Sequence, residues 1–284
     1  MFRHLCEQCT GNQGAGHNGG YSTVSKNNRD TLMGDNLSQK AFSAVRWTTL
    51  NTVCQVSIQF LTLIILGRLL SPESFGLMAM IMVIVEVVNV FGRMGLGEAI
   101  IYKSEVTQNE ISSLYFLNIF VGLVLTCSVF LSSNLVARLY SEPSLIPLVQ
   151  IISSIFFISS LGILFEILLR KHLLFDTFSK INITAHFIAF IFMCVLAYRG
   201  YGVYSLIFGQ VLLHTLKSLL LIVLALRKEW MPNIRFKLGE VTFYLNFGLY
   251  RVLAMSANQV NSRIDQLLIG AILGPVSLGF YNVA

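Results

Sequence analysis

Seven separate stretches of this chain approach the ~20 consecutive apolar residues that carry a helix across a bilayer, and no other feature restricts the fold as severely. They lie at about residues 47–70, 74–91, 112–135, 146–169, 181–198, 203–226 and 243–273, divided by short loops carrying proline, glycine or basic residues. The expected fold is therefore an all-α membrane protein. The chain is 55% hydrophobic and 12% charged, with a mean hydropathy of +0.69, whereas a soluble domain is about one quarter charged. No stretch outside the spans is long enough for a sizeable soluble domain.

The net charge of +6 raises nucleic acid as a partner, but the position of the basic residues argues for membrane orientation instead. With the amino terminus on the cytoplasmic side, fourteen of the 20 Lys and Arg residues fall on inside segments. Only Arg68, Arg138 and Arg199 fall outside, and Lys217, Arg251 and Arg263 lie within spans. That asymmetry is the positive-inside pattern. It places the chain in a cytoplasmic membrane as a multi-pass protein with its amino terminus inside. The first apolar run begins too late and is too long for a cleavable signal, so it is expected to remain as an anchor.

Residues 1–40 are polar and rich in Gly, Asn and Ser, and read as a disordered tail. Met33 offers an alternative start. Cys6 and Cys9 have the spacing of one zinc-ligand pair, but no second pair follows and His4 and His17 complete no set. Gly14-Ala15-Gly16-His17-Asn18-Gly19 matches the dinucleotide fingerprint by letters, without the strand and helix that make it work. Cys54, Cys127 and Cys194 lie in apolar spans and behave as small hydrophobes. Neither a metal nor a cofactor is expected.

The most informative pattern is an echo. Gly67-Arg68-Leu69-Leu70-Ser71-Pro72-Glu73-Ser74-Phe75-Gly76-Leu77 returns at an offset of 203 positions as Gly270-Ala271-Ile272-Leu273-Gly274-Pro275-Val276-Ser277-Leu278-Gly279-Phe280. Part of the match is hairpin chemistry: Ser71 can cap a helix, Pro72 suits its first position, and Gly76 permits close helix approach. The helices leading into the two phrases match as well. Gln55, Gln59 and Thr62 recur at i, i+4 and i+7, on one helical face. Adding 203 gives Asn258, Ser262 and Asp265. A polar face within a span turns toward other helices or a watery cavity, which supports the weakly apolar seventh span. Arg251 extends that face by one heptad, and Arg263 lies near its edge.

Six spans separate the two phrases, so both copies enter the membrane from the same side, as in a parallel repeat. The expected domains are the tail (1–40), one complete six-helix lobe (41–240) and the truncated opening of a second lobe (241–284). A substrate cavity is expected between them, lined by Gln55, Gln59, Thr62, Arg251, Asn258, Ser262, Arg263 and Asp265. His214 and Lys217 share a face of the sixth span and are assigned to the same cavity. Glu86, mid-span and without a partner nearby in sequence, is the candidate for ion coupling. His186 reads as a packing residue, and Glu166 with Arg170 as a helix-end ion pair. Cations in such a cavity suit an anionic substrate, above all a phosphate or pyrophosphate.

The order Gly67-Arg68-Leu69-Leu70-Ser71-Pro72-Glu73-Ser74-Phe75-Gly76, Gly95-Leu96-Gly97-Glu98-Ala99-Ile100, Leu168-Leu169-Arg170-Lys171, Tyr201-Gly202-Val203-Tyr204 and Arg263-Ile264-Asp265-Gln266-Leu267-Leu268-Ile269-Gly270 resembles the bacterial polysaccharide exporters. These are the O-antigen and colanic-acid flippases of the multidrug/oligosaccharidyl-lipid/polysaccharide superfamily. The resemblance covers about residues 40–284. It implies two six-helix lobes that pass an undecaprenyl-pyrophosphate-linked oligosaccharide to the outer leaflet by alternating access, beside polysaccharide polymerase machinery. It gives Arg251 and Arg263 the role of engaging the pyrophosphate or acidic sugars. A drug or metabolite antiporter of the same superfamily is the alternative transporter. A non-transporting fragment or assembly partner is a further alternative. A membrane glycosyltransferase or polymerase would need carboxylates or a metal site at a membrane edge, and the outside loops hold little beyond Glu73, Arg138 and Glu142.

Overall fold

The computed structural model describes residues 22–93, 100, 107–228, 230–233 and 261–281, with side chains in the first stretch described for 42–92. The described elements are helices: α1 (Ser22–Leu69), α2 (Pro72–Arg93), α3 (Gln108–Leu131), α4 (Ser133–Leu139), α5 (Leu145–Lys171), α6 (Phe175–Tyr198), α7 (Val203–Arg227) and α8 (Asn261–Tyr281). All but α4 are long and apolar enough to cross a membrane by length and composition, α8 only when counted along its whole length. The tail expectation for residues 1–21, including Cys6, Cys9 and the glycine-rich letters, lies outside the described residues. Residues 22–41 are helical and continue into the first span. They hold one glycine and no proline, so their backbone chemistry does not block a helix.

Helix ends follow local capping rather than hydropathy. The third span starts at Gln108, ahead of the apolar run, because Thr107 and Glu110 form a reciprocal capping box that satisfies two otherwise orphaned N–H groups. Ser71 precedes Pro72 at the start of α2, and its Oγ accepts the Ser74 N–H at 3.4 Å.

α5 is the central helix, packed by α3 on one side and α7 on another, with α6 against α7 and α2 against both α5 and α7. Polar and small residues bring these helices together. Asn118 on α3 donates to the Ser160 carbonyl at 2.7 Å, and Ser218 on α7 donates to the Ile158 carbonyl at 2.8 Å. Gly122 lies so close to Ser160 that an added methyl would sit 2.5 Å from its Cβ. Between membrane helices, where apolar lipid competes with apolar side chains, such close fits and interhelical hydrogen bonds supply the specificity. By contrast α1 turns Val45, Val53, Val56, Phe60, Leu61 and Ile64 outward. An outward apolar face of that size belongs in lipid or against another bundle.

α8 is bent back on itself. Gly274 has φ +80°, and the Tyr281 hydroxyl donates to Asp265 Oδ2 at 2.5 Å across 16 positions, which a straight helix would hold about 24 Å apart. Leu278 packs against Gly270 in the same reversal. The arm before Gly274 is the described end of the span expected over 243–273; residues 241–260 lie outside the described residues.

Candidate functional site

A cavity of about 500 Å³ opens between α1, α2, α6, α7 and α8. Gln55, Gln59 and Thr62 line it from α1, as their spacing requires of a single face. Glu86 enters from α2, Gln210 from α7, His186 from α6, and Arg263 with Gln266 from α8. Apolar surface from Phe75, Met78, Met82 and Met193 fills the remaining wall. Many neutral hydrogen-bonding groups, a few charges and soft methionine surface form a wall suited to an amphiphilic molecule with a hydroxyl-rich head.

The charged centre joins two segments far apart in sequence. Arg263 Nε lies 2.6 Å from Glu86 Oε2, and Nη2 donates to Oε1 at 2.9 Å across 177 positions. Two parallel N–H donors meeting two carboxylate oxygens make the strong, directional form of an ion pair. Arg263 Nη1 also donates to Gln266 Oε1 at 3.2 Å. Glu86 stands 14 residues into α2, about 21 Å from its start by helical rise. Charge so deep in a spanning helix is tolerated when paired and turned away from lipid.

Four residues expected to line one cavity therefore meet there, Gln55, Gln59, Thr62 and Arg263, and Glu86, expected separately as the ion-coupling residue, joins them. Ser262 and Asp265 do not face the cavity. Both are exposed, and Asp265 is held by Tyr281. The displacement is angular: Arg263 and Gln266 take the facing positions, one residue and so about 100° around the helix from Ser262 and Asp265. Arg251 and Asn258 lie outside the described residues.

His214 and Lys217 occupy a separate place, a small cavity of about 100 Å³ inside the bundle, lined also by Asn89, Asn118, Ser159 and Glu166. Lys217 Nζ is 2.8 Å from Glu166 Oε2, while Glu166 Oε1 takes Arg170 Nη2 at 2.6 Å. Ser159 Oγ and His214 Nδ1 are 2.8 Å apart. The face shared by His214 and Lys217 is real, but it points to α5, because α7 packs along that helix. Glu166 thus joins two cations, and its pairing with Arg170 is the helix-end pair read from the sequence.

His186, Gln210 and Gln266 also line the cavity; read from the sequence, His186 has only a packing role, and Gln210 and Gln266 have none. His186 follows Asn182 at i+4, and Gln210 precedes His214 and Lys217 at i+4 and i+7. That spacing is a signal, but it does not tell that Gln210 lines the larger cavity while His214 and Lys217 line the smaller. The His186 ring is anchored through Nδ1 to the Asn182 carbonyl at 2.8 Å.

The echoed phrases meet each other in space. Gly76 lies against the Pro275 carbonyl, and Gly279 against the Pro72 carbonyl. These are equivalent partners under the offset of 203, so the contact is reciprocal, as in a two-fold interface. Beside it the Tyr140 ring packs on Gly270, and burial pushes the Tyr140 phenol above its ordinary pKa.

Comparison with known proteins decides the family. The family model described as polysaccharide biosynthesis protein matches residues 65–284. This chain belongs to that family. It is 30% identical over 248 residues to the teichuronic acid biosynthesis protein TuaB of Bacillus subtilis, covering 87% of this chain and 51% of that protein. It is 28% identical to the lipopolysaccharide biosynthesis protein WzxC of Escherichia coli K12, covering 87% and 50%. The succinoglycan biosynthesis transport protein ExoT of Rhizobium meliloti is 24% identical over 84% of this chain and 48% of its own length. The chain spans about half the length of the curated relatives it matches. No solved structure matches it. The matched region takes in both echoed phrases and every described residue of the cavity except Gln55, Ile58, Gln59 and Thr62.

Proposed function

We propose that this chain is one lobe and the opening of a second in an exporter that moves an undecaprenyl-pyrophosphate-linked oligosaccharide across the bacterial cytoplasmic membrane. The observation that carries the reading is the Glu86–Arg263 pair in a polar cavity between α2 and α8, on opposite sides of the parallel repeat. Arg263 supplies a planar fork suited to phosphate oxygens. Gln55, Gln59, Gln210 and Gln266 supply donors and acceptors suited to sugar hydroxyls. The biosynthetic roles named for TuaB and WzxC, and the transport role named for ExoT, agree with it.

In this reading residues 41–240 form the first lobe and 241–284 begin the second, with the amino terminus cytoplasmic. The reciprocal glycine–proline contact shuts the outer mouth, and alternating access requires it to part. The protein acts as a transporter, with the chemistry of polymerisation left to neighbouring enzymes.

The test is complementation of a strain lacking its exporter by the reading frame that encodes this chain, with Arg263→Ala alongside. Restored surface polysaccharide that is lost in the variant supports the reading. Full restoration by Arg263→Ala, or transport of small organic cations by the purified protein with no effect on polysaccharide, replaces it with the antiporter reading.

A further inference from the structure

The contact between Arg263 and Glu86 has the form of an anion site that is already filled. Two guanidinium nitrogens meet the two carboxylate oxygens at 2.6 and 2.9 Å, the same fork geometry with which arginine takes two oxygens of a phosphate. The pair is not sealed in a core: both side chains are about one third exposed, at 34% and 35%, and both line the cavity. Anything entering the cavity therefore reaches the guanidinium with Glu86 across it.

We infer, resting on the anionic-substrate reading of this cavity, that Glu86 is the resident competitor for the substrate's anionic head. It holds the Arg263 seat when the cavity is empty and yields it to a diphosphate. Its presence has a physical reason. An arginine in a cavity lined also by Met78, Met82 and Leu213, deep in a membrane, is costly without a counter-charge. The carboxylate neutralises it at all times, including after the substrate has left. Displacement then depends on the charge of the incoming group. A diphosphate brings more negative charge and more acceptor oxygens than one carboxylate, whereas a neutral sugar or alcohol brings none.

Glu86 thus sets a threshold. Only a head group that outcompetes a carboxylate occupies Arg263, and the carboxylate's return assists release. The residue is a specificity-determining one, acting through Arg263, and its removal should tighten binding while slowing turnover. A purely structural ion pair would do neither.

The probe is farnesyl diphosphate, with farnesol as the neutral control, titrated calorimetrically into the protein in lipid nanodiscs. Glu86→Gln preserves the side chain's shape and is expected to bind farnesyl diphosphate about tenfold more tightly, with farnesol unchanged. Glu86→Asp, which keeps the charge but shortens its reach, is expected to fall between, about twofold to threefold tighter. Arg263→Ala is expected to lose binding, and adding Glu86→Gln to it should restore nothing. In complementation, Glu86→Gln should lower polysaccharide export despite the tighter binding. Unchanged or weaker binding by both Glu86 variants, with Arg263→Ala still defective, overturns the competitor role and leaves the site reading standing. Undiminished binding by Arg263→Ala overturns the site reading itself. Should Glu86→Gln fail to give monodisperse protein, Glu86→Asp alone decides, by the same criterion.

Discussion

The hairpins Gly67–Leu77 and Gly270–Phe280 share a sequence pattern and press against each other as equivalents, yet they are built differently. At the turn, Ser71 caps α2 with its hydroxyl. Its counterpart Gly274 has no side chain to cap with and turns through φ +80°. Among the described residues only Ser141 and Leu173 combine a side chain with positive φ, so Ser71 makes its turn from the other side of φ. Leading into the turn, the first copy shows the cavity Gln55, Gln59 and Thr62, whereas the second shows it Arg263 and Gln266. The positions equivalent to Arg263 and Gln266 are Phe60 and Leu63, which line an adjoining pocket that shares Gln59, Thr62 and Phe75 with the cavity. The repeat preserves the contact between copies and lets the cavity faces diverge. Contact geometry is what the two phrases share, and charge is where they differ.

The largest expected effect comes from breaking the preserved part. A methyl on Gly76 would fall 1.7 Å from the Pro275 carbonyl oxygen, and one on Gly279 would fall 2.2 Å from that of Pro72. Both obstacles are backbone, so relief requires the hairpins to separate. Gly76→Ala and Gly279→Ala should each abolish complementation and lower the thermal midpoint, by a destabilisation of about 1–3 kcal/mol, with Gly76→Ala the worse. Equal, near-wild-type behaviour of both would show that the reciprocal contact is dispensable.

The next effect separates the two cavity faces. Arg263→Ala should remove polysaccharide export, and Asp265→Asn should leave it within about twofold of wild type, since Asp265 faces Tyr281 and not the cavity. Thr62, the equivalent of Asp265 in the first copy, does line the cavity, although its hydroxyl is turned to the Ile58 carbonyl at 2.7 Å. Quantifying surface polysaccharide in the two variants checks whether the second copy is turned as the structure places it. A loss with Asp265→Asn as deep as with Arg263→Ala would restore strict symmetry.

How far this was legible in the sequence follows from what each feature depends on. Span number and α1's polar face rest on hydropathy and on spacing within one helix, which the chain carries locally. The start of α3 was also legible in principle, because Thr107 and Glu110 sit in capping-box spacing just before the apolar run. The partnership of Glu86 with Arg263 depends on where α2 and α8 meet, across 177 positions, and no local pattern encodes that. Projecting the first copy's face onto the second led to Ser262 and Asp265, because an offset aligns residues but does not fix the rotation of a helix against new neighbours. His214 and Lys217 share a helical face as spacing indicates, and only packing shows that the face meets α5 and Glu166.

A smaller effect should come from the second turn. Gly274→Ala places a side chain at φ +80°, where a β-carbon crowds the following carbonyl, at a cost of about 1–2 kcal/mol. Among the described residues no atom outside the immediate turn lies within 4 Å of that methyl, so the cost is conformational and not steric contact with a neighbour. Thermal unfolding should therefore register Gly274→Ala clearly while export survives at permissive temperature, in contrast to Gly76→Ala.

The smallest effect distinguishes the two ways of turning. Ser71→Ala removes a hydroxyl that lies 3.4 Å from the Ser74 N–H and 3.1 Å from Ser74 Oγ, while that N–H keeps the Ser71 carbonyl at 3.0 Å, so the loss sits at the low end for an exposed cap, about 0.5 kcal/mol. Ser71→Gly gives the first hairpin the residue of the second, and glycine is tolerated at a cap with a loss of only a few tenths of a kcal/mol. Thermal midpoints should thus rank wild type, Ser71→Gly, Ser71→Ala. The order has a structural reason: glycine lets water or a readjusted backbone reach the groups the hydroxyl served, whereas alanine adds a methyl there without a hydrogen-bond acceptor. If Ser71→Gly instead proves as damaging as Gly274→Ala, the first turn depends on its fixed backbone more than on its cap, and the two hairpins are closer in construction than their φ values indicate.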